Sequence, residues 1–102
     1  MDMDDFQKQA LDSVAITEKS LAALAHRALG LSGEAGILAN QLKKMIRDKN
    51  GQADSQDIEV IRKRLGDVLY YLAVLAEYFN LSLADIAKQN LAQSAEFKKS
   101  RQ

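Results

Sequence analysis

Residues 57–80 read DIEVIRKRLGDVLYYLAVLAEYFN and place apolar side chains at Ile58, Ile61, Leu65, Val68, Leu72, Leu75 and Phe79. The steps alternate between three and four, which is the heptad seam of an amphipathic helix meeting another helix. In the middle stands Arg64-Leu65-Gly66-Asp67, where a glycine weakens an otherwise strong helix former beside a carboxylate. Such a glycine predicts that something near Asp67 needs close approach.

Working outward, a second helix is predicted to start at the cap candidate Ser20, with Leu21, Leu24, Ala28, Leu31, Ala35, Leu38, Leu42 and Met45 in the same register. The polar run from Asp48 to Ser55, with its Asn50-Gly51 pair, reads as the loop joining two antiparallel helices. Before them, Phe6, Ala10, Leu11 and Val14 mark a helix from Asp4 to about Ala15. After them, Asn80-Leu81-Ser82 breaks the chain. Ser82 with Asp85 forms a capping-box signature for a fourth helix reaching Phe97 or Lys98, and the tail from Lys98 to Gln102 is expected to fray.

The fold class that follows is all-α: a helical bundle in one domain, residues 1–102, with two long antiparallel helices and shorter N- and C-terminal ones. The absence of proline and the 47% apolar content agree with it. A chain of 102 residues buries a modest core alone. Ile37, Ile46, Leu69 and Ala76 offer a second apolar side, so dimerisation is expected to complete a four-helix core. Fourteen basic and fourteen acidic residues cancel, which removes the electrostatic footprint of a general nucleic-acid binder. Without cysteine there is no disulfide, thiolate metal site or thiol nucleophile. No apolar run has the length of a membrane span, so a soluble cytoplasmic protein is expected.

Helix two carries Gly30, Gly33 and Gly36, a row that predicts close approach of a backbone or ligand. Glu34 shares a face with Ile37, Gln41 and Lys44, and helix three presents Arg64, Asp67 and Tyr71 at matching offsets. Packed antiparallel, these rows bring Glu34 and Asp67 to one pocket. The segments Leu29-Gly30-Leu31-Ser32-Gly33-Glu34-Ala35-Gly36, Leu65-Gly66-Asp67-Val68-Leu69-Tyr70-Tyr71-Leu72-Ala73 and Asn90-Leu91 resemble, in order and spacing, the MazG-like nucleoside triphosphate pyrophosphohydrolases.

That resemblance implies an all-α dimer or dimer of dimers that cleaves nucleoside triphosphates to monophosphate and pyrophosphate with Mg²⁺. It implies Glu34 and Asp67 as catalytic metal ligands and Asn90 on the substrate; from the residues themselves, Arg64 is read as docking a phosphate through its planar fork and Lys44, on the Glu34 face, as reaching substrate phosphates. The four acids of the family's metal site map to Glu34, Ile37, Arg64 and Asp67, and a position often lysine maps to Gln93. Isoleucine for glutamate adds one unit of charge and arginine for glutamate adds two, so this site is three units more positive than the family's. The expected metal is one Mg²⁺ on Glu34 and Asp67, with water and phosphate filling its shell, whereas Ile37 offers it no oxygen and Arg64 a fixed positive charge.

Each candidate has a plainer reading. Arg64 serves equally as a solvated partner of Asp67 at i+3, and Lys43, Lys44 and Arg47 as complements of a helix C-terminus. Asn90 reads as a solvated helix residue, the lone His26 as structural or exposed, and Tyr70, Tyr71 and Tyr78 as core aromatics. Three functions follow: a divergent pyrophosphohydrolase, a non-catalytic nucleotide or anion binder, and a helical dimerisation module.

Overall fold

The fold was analysed in a computed structural model that describes residues 1–100. Four helices follow one another, α1 (Met3–Asp12), α2 (Leu21–Lys49), α3 (Ser55–Tyr78) and α4 (Leu83–Ser100), so the all-α class read from the sequence holds. The end of the tail expected to fray, Arg101 and Gln102, lies outside the described residues, while α4 continues through Lys98 and Lys99.

Local capping chemistry sets the helix ends. Asp2 accepts from the Asp5 backbone N–H at 2.8 Å, and the Asp5 carboxylate accepts in return from Asp2 N–H, so α1 starts a residue earlier than its apolar pattern indicates. Asp54 and Asp57 repeat the arrangement at α3, which moves its start forward to Ser55. Ser20 caps α2 as its sequence predicts, accepting from Ala23 N–H at 3.1 Å. At the other end Asn50 and Gly51 take positive φ angles of 55° and 82°, and Gly51 N–H returns to the Met45 carbonyl. That is a left-handed helix stop, the conformation asparagine and glycine tolerate best.

Helices α2 and α3 form an antiparallel hairpin, α1 lies across α3, and the start of α4 closes against both. The core is small: Ala10, Ala73, Val74 and Leu83, with Phe6, Val14, Leu69, Tyr70 and Tyr71 packed on it. Two polar side chains reinforce it. Gln7 donates to the carbonyls of Ala73 and Leu81 and accepts from Leu83 N–H at 2.9 Å, supplying one of the backbone N–H groups that a helix start leaves unpaired. Arg27, only 1% exposed, donates to the carbonyls of Val74 and Ile16 and to Glu77 at 3.0 Å, and lies over the Tyr78 ring.

The heptad seam of α3 packs differently from its sequence reading. The hairpin contacts run Arg27 to Val74, Gly30 to Tyr71, Glu34 to Arg64 and Lys49 to Asp57. This face is turned one residue from the seam, so Ile61, Val68 and Leu75 are half-buried while Ile58, Leu65, Leu72 and Phe79 stay 45%, 53%, 40% and 55% exposed. Apolar spacing identifies a sticky face without saying what covers it. Of the second apolar side, Ile37 and Ile46 are exposed, Leu69 is half-buried and Ala76 is buried.

Candidate functional site

Between the middle of α2 and the middle of α3 lies a cleft of about 380 Å³, lined by Glu34, Lys63, Arg64, Asp67, Tyr70 and Tyr71. Its volume is within the range of small-molecule sites. Glu34 comes from α2 and the others from α3, so the cleft exists only because the hairpin closes in this register. Tyr71 makes the closest crossing. A Cβ at Gly30 would overlap its ring, so the helices approach there only because residue 30 has no side chain.

The other helical glycines differ from their sequence reading. At Gly33, Gly36 and Gly66 an added Cβ would meet nothing within 4 Å. Within the chain, Gly66 therefore serves no close approach beside Asp67.

Charge is balanced within the cleft. Arg64 Nη1 lies 4.0 Å from Glu34 Oε2 and 3.8 Å from Asp67 Oδ2, and Lys63 Nζ lies 3.5 Å from Asp67 Oδ2. These are loose ion pairs longer than charge-assisted hydrogen bonds, each worth at most about 1 kcal/mol at such exposure. Glu34 Oε2 is buried and, among the described residues, has no hydrogen-bond partner. A carboxylate oxygen desolvated without a donor is costly and ready to accept one.

The resemblance implies a Mg²⁺ ion, and the donor set here does not fit it. Two carboxylates are present, and both already face the same guanidinium. A cation on these carboxylates would sit beside a fixed positive charge that repels it, and a divalent ion twice as strongly as a monovalent one. Among the described residues no group of three or more His, Cys, Asp or Glu is arranged to hold a metal. Ile37, 44% exposed, does not line the cleft.

The sequence thus anticipates Glu34, Arg64 and Asp67 together, and the structure adds Lys63, whose i+4 spacing to Asp67 is the signal that finds it. Lys44 and Asn90 do not join them. Lys44 is exposed on α2, about 15 Å along the axis from Glu34, and Asn90 is exposed on α4. Tyr70 and Tyr71 meet edge to face at 5.1 Å, and Tyr70 also bonds Ser13, so these rings are occupied with packing. His26 is exposed beside the Tyr71 ring.

Other recesses are chemically distinct. One, of about 320 Å³, is formed by Leu72, Leu75, Ala76, Phe79, Leu81, Leu83 and Ile86 and is almost wholly apolar. No described helix is long and apolar enough to cross a membrane.

Compared with known proteins, the chain is similar to the "Gene 37 protein" of Mycobacterium phage L5, with 38% identity over 72 residues. The match covers 71% of this chain and 63% of the phage protein, so the chain spans less than two thirds of that relative. No family model matches the chain, and no solved structure matches it.

Proposed function

We propose that this chain is a MazG-like helical domain, descended from nucleoside triphosphate pyrophosphohydrolases, whose α2–α3 cleft binds the polyphosphate of a nucleotide without hydrolysing it. The observation that carries this reading is the convergence of Arg64 and Lys63 with Glu34 and Asp67 in that cleft. The two longest segments of the resemblance lie on the two helices that form it. Arg64 and Lys63 supply donors to non-bridging phosphate oxygens, and the two carboxylates hold the guanidinium across the cleft. Hydrolysis is disfavoured because attack of water at phosphorus needs concentrated positive charge and an oriented nucleophile, and two of the acids that would hold Mg²⁺ are Ile37 and Arg64.

Incubation with a panel of ribo- and deoxyribonucleoside triphosphates and Mg²⁺ or Mn²⁺, with pyrophosphate assayed, tests this reading. The expected result is no pyrophosphate above that of the Glu34→Ala, Asp67→Ala double variant, with binding seen by calorimetry in metal-free buffer. Removing one negative charge by Glu34→Gln should strengthen polyphosphate binding several-fold. Turnover that disappears in Glu34→Gln would restore the enzyme, and absence of binding to every nucleotide would remove the cleft's assignment.

A second reading concerns assembly and rests on its own observation. The chain exposes 7508 Å², whereas a monomer of 11.3 kDa is expected to expose about 5,700 Å². The excess, about 1,800 Å² per chain, is roughly twice what a standard interface buries on each partner. We infer a homodimer, or a dimer of dimers, that covers the row Ile58, Leu65, Leu72 and Phe79 of α3 with a second copy, in a cytoplasmic setting. Sedimentation should show a dimer for the wild type and a monomer for Leu65→Glu with Leu72→Glu; a wild-type monomer at micromolar concentration would overturn it.

A further inference from the structure

One nitrogen, Arg64 Nη1, faces a carboxylate oxygen from each helix, Glu34 Oε2 at 4.0 Å and Asp67 Oδ2 at 3.8 Å. The guanidinium thus stands as the shared positive charge facing both acids, the electrostatic part a divalent cation would otherwise play there. Lys63 Nζ, 3.5 Å from Asp67, adds a second positive charge on the same side. A guanidinium stays charged at every physiological pH, is fixed to the backbone and cannot be chelated away. Its planar fork of N–H donors engages the same phosphate oxygens that Mg²⁺ would otherwise coordinate.

We infer that Arg64 is a tethered replacement for a divalent cation, so that the cleft excludes free metal and takes its polyphosphate in the metal-free form. The second half of this inference rests on the polyphosphate reading above; the first half does not. In a site built from acids, the metal carries the nucleotide in. Here Mg²⁺ on the ligand neutralises the charge that Arg64 and Lys63 recognise and occupies the oxygens they would bind, so added Mg²⁺ competes with the protein.

Two measurements test it. Titration with Mn²⁺ alone, read by the electron paramagnetic resonance signal of the free ion, should give wild-type binding at least tenfold weaker than that of Arg64→Glu, which places three carboxylates around the cleft. Wild-type binding as tight as the variant's, and lost in Glu34→Gln, would overturn the replacement. Because Arg64 is one-third exposed, Arg64→Gln is a milder second variant, and circular dichroism checks that each variant folds. Calorimetry with inorganic tripolyphosphate and a nucleoside triphosphate should show at least threefold tighter wild-type binding in EDTA than in excess Mg²⁺, and at least a tenfold loss in Arg64→Gln in EDTA. Tighter binding with Mg²⁺ would overturn the metal-free form. If neither phosphate compound binds, the polyphosphate reading fails with the metal-free form, and the Mn²⁺ titration still decides the replacement.

Discussion

Gly30 and Gly66 occupy similar helix interiors and have opposite consequences. Alanine at Gly66 meets open space, so the usual helix gain should appear, a stabilisation of about 0.5–1 kcal/mol. Alanine at Gly30 overlaps the Tyr71 ring, and an overpacking cost of about 1–3 kcal/mol should outweigh that gain. Paired thermal melts check both signs, and equal shifts for the two variants would contradict the crossing geometry. Gln7 is a further case, since its amide serves three backbone groups at the junction of α1, α3 and α4. Gln7→Ala should cost about 1–3 kcal/mol, the penalty for leaving buried backbone groups unpaired. For a domain of this size that lowers the melting temperature by at least about 4 °C.

Among the helices, three capped ends were legible because a cap is a local device: Ser20, Asn50-Gly51 and Ser82 act on backbone groups within a few residues, whereas the paired aspartates that start α1 and α3 lie ahead of the apolar pattern. The partner of each apolar face was not legible. The α3 heptads mark a stripe, and the hairpin uses its edge while Leu65 and Leu72 remain outside. Arg27 and Gln7 were missed for a related reason, since all their partners but Ile16 lie 47 to 76 residues away and no spacing rule reaches across such separations. For the cleft, Glu34, Arg64 and Asp67 were legible through helical offsets; Lys44 shares the Glu34 face but lies nearly three turns further along α2, and Asn90, which rested on resemblance, lies on α4.

The α2–α3 turn carries its own pH dependence. Lys49 Nζ bonds both Asp54 and Asp57 at 2.8 Å, and this partnership, followed by the Asp57 backbone N–H, holds the Asp54 carboxyl below the usual carboxylate range. A depressed folded-state value means the contribution is complete above the unfolded value near 3.9 and is lost as pH falls through the folded one. Asp54→Asn should therefore show a smaller loss of melting temperature between pH 5 and pH 2.5 than the wild type does. An identical loss would place the acid sensitivity elsewhere.

At the scale of the whole molecule, the radius of gyration is 16.4 Å, against about 13 Å for a compact domain of this length. In α4 only the first turn is buried, at Leu83, and Leu91 further along is exposed. An isolated stretch of such length holds its helix weakly in water. If a second copy covers it, helicity measured by circular dichroism should fall on dilution through the dissociation range, and constant helicity would show that α4 needs no neighbour. The Gln7 fastening has a temporal consequence as well. The hairpin of α2 and α3 closes through a short turn, whereas α1 reaches Ala73 and Leu83 only by closing most of the chain into a loop. The first and last helices therefore form one opening unit: amide hydrogens of α1 and of the first turn of α4 should exchange together, ahead of those in the hairpin.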